Sequence, residues 1–199
     1  MSRNREEKEK IAVIKSSRRT MSMEVRPDGS ILVRAPFRAS AEEIGNFVCS
    51  HKSWVEKQRI RIRKRAAEIR LADQNPLSPE DIRLLADQAL RELPPRIAAY
   101  AGQMGVTYGR VTIRNQKTRW GSCSSKGNLN FNCLLMLTPR EVQDYVIVHE
   151  LSHRKEMNHS PKFWAVVEEV LPDYKKRRKW LRENGSVIIR RMTAGNPVS

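Results

Sequence analysis

Val146-Ile147-Val148-His149-Glu150-Leu151-Ser152-His153, continued by Arg154-Lys155-Glu156-Met157-Asn158-His159-Ser160-Pro161, is the stretch from which the rest of the chain can be read. Three β-branched residues run straight into a His-Glu-x-x-His pattern. On a helix, positions i and i+4 are separated by roughly 400° of rotation, so His149 and His153 face the same way. Both imidazoles then reach one cation at the zinc–nitrogen distance of about 2.0–2.1 Å. Glu150 stands one step round the helix, beside the metal, as a base rather than a ligand. The plainer alternative is a pair of surface histidines on an amphipathic helix. The apolar run in front argues against it, because polar groups in such a setting are costly unless something uses them.

A zinc site needs a third protein ligand. His159 lies six residues beyond His153 and would point about 240° away on a continuing helix. The helix is therefore expected to stop first, with Asn158 in the left-handed conformation that ends helices. Ser160-Pro161 then opens the next helix. The spacing equals that of the metzincins, whose pattern is His-Glu-x-x-His-x-x-Gly-x-x-His, but Glu156 holds the glycine position here. The competing ligands are Glu168 and Glu169 on the following helix, which read more simply as a solvated face. His51, beside Lys52, reads as a surface residue.

The chain has 199 residues, 39% apolar and 30% charged, with a net charge of +16 and a sequence pI near 10.3. The length suits one domain or one domain with an appendage. The charge favours polyanions as partners and says nothing about fold. Three cysteines, Cys49, Cys123 and Cys133, do not make a disulfide framework. There is no apolar run near 18 residues and no apolar segment at the start, so a soluble cytoplasmic protein without membrane contact is expected.

The expected fold class is α+β. Residues 1–10 read as a flexible arm and 192–199 as a flexible tail. Residues 11–74 read as a β-hairpin region and a basic helix, and 75–191 as the catalytic region; 11–185 as one continuous domain is the alternative. Met21, Met23 and Val25 alternate before the Asp28-Gly29 turn, and Ile31, Val33 and Ala35 after it, which is a hairpin. Ser40 and Glu43 form a capping box. The helix it opens is expected to run to about Leu71, with Ile44, Phe47, Val48 and Trp54 inward. Ser78-Pro79 opens another to about Met104, with Ile82, Leu84, Leu85, Leu90 and Leu93 as its apolar positions and a kink or split at Pro94-Pro95.

Strand character returns over 106–137. One run holds Val106, Tyr108, Val111 and Ile113, and another Leu129, Phe131, Cys133 and Leu135. The run 128–137 is expected to be an edge strand beside the active-site helix. Thr138, Pro139 and Glu141 are expected at the N-cap, N1 and N3 positions of that helix. Phe163, Trp164, Val167 and Val170 face inward on the next, Pro172 ends it, and Asp173 caps a last helix reaching Gly185.

Together, Arg119–Ser124 (RWGSCS), the HELSH helix and Asn158–Trp164 (NHSPKFW) resemble the YgjP-like metallopeptidase family, related to the SprT-like and wider zincin proteases. The hairpin segments RRTMSMEV and DGSILVRAP fit the same resemblance, which covers about Ile11 to Gly185. It implies a small zincin-like core, one Zn²⁺ per chain on His149, His153 and His159, and Glu150 as the catalytic base. It implies no particular substrate. Arg119 and Tyr174 are candidates for contacting substrate or the transition state; Arg119 reads equally as a surface charge. Cys123 reads as a buried residue in a tight loop rather than a fourth ligand.

Three functions follow from these residues. The first is a zinc metallopeptidase acting on peptides. The second is a metal-dependent hydrolase of nucleotides or other phosphoanhydrides, which the basic surface favours. The third is a protein, or protease, associated with nucleic acid or ribosomes through the basic runs at 57–70 and 175–182. Such runs are more often solvated helix faces. Neither the substrate nor the oligomeric state is written in the sequence.

Overall fold

The computed structural model describes residues 10–194, so most of the expected arm and the last five residues lie outside what is described. The chain divides into two units, 1–68 and 69–199.

In the first unit, β2 (Ser22–Val25) and β3 (Ile31–Pro36) form the expected antiparallel hairpin, with Met23 opposite Val33. The turn works because Gly29 takes φ 82°, while the Asp28 carboxylate accepts from the Ser30 N–H at 3.0 Å. β1 (Ile11–Ser16) lies parallel to β3 on its other side, giving the order β1-β3-β2. The central strand is the buried one: Ile31, Val33 and Ala35 are fully buried, whereas Ile11, Val13 and Ile14 stand 43–50% exposed.

Helix α1 (Ala41–Ser50) starts at the expected capping box, with both reciprocal bonds present. It stops at His51, and a separate helix, α2 (Lys52–Gln74), follows. That interruption shifts the inward face. Val55 is buried, while Trp54, expected inward, is 40% exposed. The boundary between the units falls inside α2.

The second unit packs helices on a small sheet. Ser78 caps α3 (Pro79–Met104), which ends at Gly105 with φ 63°. α3 runs unbroken through Pro94-Pro95, because Leu93 and Ile97 on either side are fully buried and hold that turn in place. Its inner face is Ala89, Leu93, Ile97, Ala101 and Met104, and of the apolar positions noted in the sequence Leu84 and Leu90 are exposed. Leu85 and Ile82 pack in a smaller cluster with Leu77, Cys133, Leu134 and Met192.

Strands β4 (Val111–Arg114), β5 (Gly121–Cys123) and β6 (Leu129–Asn132) form a sheet in the order β4-β6-β5. The expected edge strand at 128–137 is thus the central strand, and its second half, Cys133–Leu137, turns into a 3-10 helix. The Asn132 side chain drives that turn by accepting from the Leu134 N–H at 3.1 Å. β4 and β5 are the edges, and β5, from the glycine- and serine-rich stretch, is the one that meets Glu150.

Helix α4 (Arg140–Ser152) carries Val146, Ile147 and Val148 into the core. Thr138 does not cap it. Its hydroxyl instead donates to the Leu135 carbonyl at 2.8 Å, closing the preceding 3-10 turn. Arg96 of α3 ties to α4 through Asp144 and the Arg140 carbonyl. α5 (Pro161–Val170) begins at Ser160 as expected, burying Phe163 and Val167. α6 (Tyr174–Ala194) extends beyond Gly185, and Met192, expected in a loose tail, is 8% exposed. Leu77 N–H bonds the Arg191 carbonyl at 2.8 Å, which anchors this extra length.

Candidate metal centre

His149 sits in the last turn of α4 and His153 at its C-cap. The helix ends sooner than the sequence suggested. Arg154 N–H bonds the Leu151 carbonyl at 2.9 Å and Lys155 N–H the Ser152 carbonyl at 3.0 Å, so the chain tightens at once after His153. Asn158 is not left-handed: among the described residues no non-glycine φ is positive. A run of short bonds makes the turn instead, ending with Ser160 N–H on the Asn158 carbonyl at 2.7 Å. Glu156, in the position where metzincins have glycine, therefore needs no special backbone conformation.

This bend returns His159 to the other two histidines. Ring centroids stand 5.2 Å apart for His149 and His153, 4.9 Å for His149 and His159, and 4.8 Å for His153 and His159. One ligand atom from each lies within 4.8 Å of the others, and no further residue joins that group among those described. The Phe163 ring backs all three, at 4.7–4.9 Å.

These donors fit a tetrahedral cation. Nitrogens around a zinc ion stand about 3.3 Å from one another, and His149 Nε2 lies 3.0 Å from His159 Nε2. His153 Nδ1 lies 3.2 Å from the Glu156 carbonyl, a pairing that puts the proton on Nδ1 and leaves Nε2 free to ligate. Burial drives the His149 pKa down to about 3, helped by His153, His159 and Arg178; His153 is also lowered by burial. Neutral imidazole, the ligating form, is therefore the resting state of His149. His149 Nδ1 is buried with no hydrogen-bond partner among the described residues.

Glu150 is 5% exposed, and burial raises its pKa to about 8, with the Arg119 guanidinium pulling the other way. Its carboxyl lies against the bare backbone of Gly121 in β5. A Cβ at Gly121 would fall 2.7 Å from Oε1 and 2.8 Å from Cγ. The glycine of the RWGSCS stretch thus makes room for the acid, a role that nothing in its spacing announces.

Arg119 is exposed and acts on Glu150 through its charge. Tyr174 is 5% exposed and stacks on Trp164 at 5.4 Å, while Trp164 stacks on His159 at 5.8 Å. Tyr174 is therefore one ring removed from the histidines. Arg178 covers Trp164 at 4.4 Å. Cys123 is partly buried in β5 and stands outside the histidine group. Glu168 is paired with Lys175 at 2.9 Å and Glu169 is exposed, so neither joins the cluster. His51 is exposed.

A family model described as YgjP-like, metallopeptidase domain matches residues 19–86 and 70–184. No curated protein matches the chain. Two solved structures are similar over part of it. The metallopeptidase zymogen abylysin of Pyrococcus abyssi shares 25% identity over 44% of this chain and 91% of its own, with a TM-score of 0.40. The metallopeptidase zymogen jannalysin of Methanocaldococcus jannaschii shares 18% over 47% and 96%, with a TM-score of 0.42.

Proposed function

The chain belongs to the YgjP-like metallopeptidase family, and from that premise we propose that it hydrolyses peptide bonds with one zinc ion held by His149, His153 and His159 and with Glu150 carrying the proton. The observation that supports this best is the convergence of the three imidazoles, with ligand atoms within 4.8 Å. When bound, such a cation supplies Lewis acidity, polarising a carbonyl oxygen and acidifying water.

The remaining work falls to the chain. Glu150 accepts a proton from the attacking water and passes it to the leaving amine. Burial raises the Glu150 pKa to about 8 before any cation is bound, which favours holding the proton, and the charge of a bound cation would favour the carboxylate that accepts it. Arg119, through its charge, favours the carboxylate that starts the cycle. β5 supports the placement of a substrate. It is a sheet edge, three residues long, and its Gly121 touches Glu150. An extended peptide adding to that edge would bring its carbonyl past the carboxyl group.

Among the described residues, no helix is long and apolar enough to cross a membrane. A reducing compartment, the cytoplasm, suits the three unpaired cysteines.

The test begins with metal analysis of purified protein, expected to give one zinc per chain. Wild type and Glu150→Gln are then given unfolded protein and, separately, nucleoside triphosphates. Chelator-sensitive peptide cleavage by wild type alone supports the reading. Phosphate or pyrophosphate release without peptide cleavage, or full activity in Glu150→Gln, overturns it.

A further inference from the structure

A second concavity lies in the first unit, built without any of the three clustered histidines. It is an open cleft of about 380 Å³ between residues 16–19 and 36–38. The sheet explains its position. β1 and β3 run parallel and end in register, Ser16 beside Pro36, and the Phe37 N–H bonds the Ser16 carbonyl at 3.0 Å. Both chains leave the sheet side by side, and each leads directly into arginine: Arg18 and Arg19 after one strand, Arg38 after the other.

The chemistry of the lining is one-sided. It contains three guanidinium groups, the hydroxyls of Ser16 and Ser17, and no carboxylate. Among the described residues, Arg18 is held in place by neutral acceptors, Ser22 Oγ at 2.9 Å and the Arg34 carbonyl at 3.3 Å. Its Nε is buried and finds no partner among the described residues. Arg19 and Arg38 are exposed. Glu43 feels the charge of Arg38, but its carboxylate is already engaged by the Ser40 N–H at 2.7 Å. Positive charge gathered in this way calls for an anion with several acceptor oxygens.

Phe37 narrows the choice. Its ring is 68% exposed at the rim of the same cleft. A lone exposed phenylalanine is ordinary. Beside arginines whose cleft is lined by no carboxylate it adds a flat face to an oxygen-binding floor, which is the pairing that single-stranded nucleic acid uses: phosphodiester on the cations, base on the ring. A duplex keeps its bases stacked and offers none to such a ring, and an acidic peptide has carboxylates but no base to lay on it. The wider field agrees, since residues 1–68, about a third of the chain, hold half its net charge, 17 basic against nine acidic side chains.

We propose that this cleft binds single-stranded nucleic acid, with Arg18, Arg19 and Arg38 gripping a phosphodiester and Phe37 stacking a base. The site is independent of the metal chemistry, so it adds a second binding capacity to the hydrolase.

The test uses the full chain and fluorescence anisotropy with a labelled mixed-sequence 12-mer, as single-stranded RNA and as DNA, over a salt series. Phe37→Ala should weaken binding about 5- to 150-fold, the range of a lost stacked base, while Phe37→Trp keeps affinity and shows quenched fluorescence on binding. Arg19→Ala/Arg38→Ala should lower the salt slope by about 1.4. Lys57→Ala/Lys64→Ala removes the same charge from the exposed face of α2 and should change affinity less than threefold. Equal losses in the two double variants would mean diffuse charge and overturn the site. Phe37→Ala binding like wild type would overturn the stacking. A poly-glutamate chain competing as well as the 12-mer would replace nucleic acid with an acidic protein and overturn the proposal.

Discussion

Replacing Gly121 with alanine tests how tightly the general base is positioned. The added carbon would sit 2.7 Å from Oε1, 2.8 Å from Cγ and 3.0 Å from Cδ of Glu150. Comfortable contact begins at about 3.5 Å, so the side chain must retreat by roughly 0.7 Å. The contact with Cγ matters, because a rotation of the carboxylate alone cannot relieve it. A misplacement of about 1 Å costs on the order of a hundredfold in rate, so kcat/KM should fall roughly 30- to 100-fold, or about 2–2.7 kcal/mol. Overpacking should also cost about 1–3 kcal/mol of stability. Steady-state cleavage of a fluorogenic peptide measures the first quantity and urea unfolding the second, with zinc content checked throughout and expected to stay at the wild-type level. Glu150→Ala supplies the control: with the carboxyl gone, adding Gly121→Ala should cost less than about 0.5 kcal/mol. Strictly additive stabilities together with activity within threefold of wild type would refute the idea that bare backbone at 121 positions the acid.

Other outcomes follow from the same geometry. Glu150→Gln should keep its zinc, by atomic absorption, and lose at least about a hundredfold in turnover. In metal-free protein Glu150 is raised from 4.5 to about 8, so the folded chain holds a proton there that the unfolded chain has released. Its contribution to stability is full below pH 4.5 and lost as pH rises through 8; Glu150→Gln should flatten the fall in Tm between those two pH values, and an unchanged slope contradicts the assignment. His149 works in the opposite sense: lowered from 6.5 to about 3, it makes the metal-free fold lose stability as pH falls from 6.5 through 3, a loss that His149→Phe should reduce in the same melting series. Trp164→Ala removes the ring stacked on His159 and should weaken zinc binding on the order of tenfold by competition with a chromophoric chelator, with an unchanged affinity as the contrary result. Asp144 is 17% exposed beside Arg96, so Arg96→Ala, which removes its partner, should cost roughly 2–4 kcal/mol in urea unfolding, whereas a loss under 0.5 kcal/mol would mean that water compensates fully.

The parts of this molecule legible in its sequence are those set by local chemistry. The Ser40–Glu43 cap, the Ser78-Pro79 helix start, the turn at Gly29 and the Ser160-Pro161 helix start each need only a few neighbouring residues, and each appears in the structure. The neighbouring pair His149 and His153 is legible for the same reason, since helical spacing alone puts them together. What escaped depends on contacts distant in sequence. β6 reads as an edge because nothing in its own residues reveals that β4 and β5 flank it. Trp54 reads as inward because the interruption at His51 cannot be seen in the apolar pattern. The end of α6 reads as a tail because its anchor, Leu77, lies more than a hundred residues earlier. Thr138 offers the right side chain for a helix start, but the preceding 3-10 turn uses its hydroxyl first.

The bend between His153 and His159 has a consequence for tolerance. Every residue in it takes a backbone conformation open to any L-amino acid. Substitutions at 154–158 are therefore judged by what their side chains touch, with no toll for the path of the chain. Arg154, whose Nε donates to the Thr107 carbonyl at 2.9 Å, has something to lose; Lys155 and Met157, both facing water, have little. A loop freed in this way from glycine can vary its lettering widely and still deliver the final imidazole, and a search keyed to a fixed residue at its midpoint would pass such chains by.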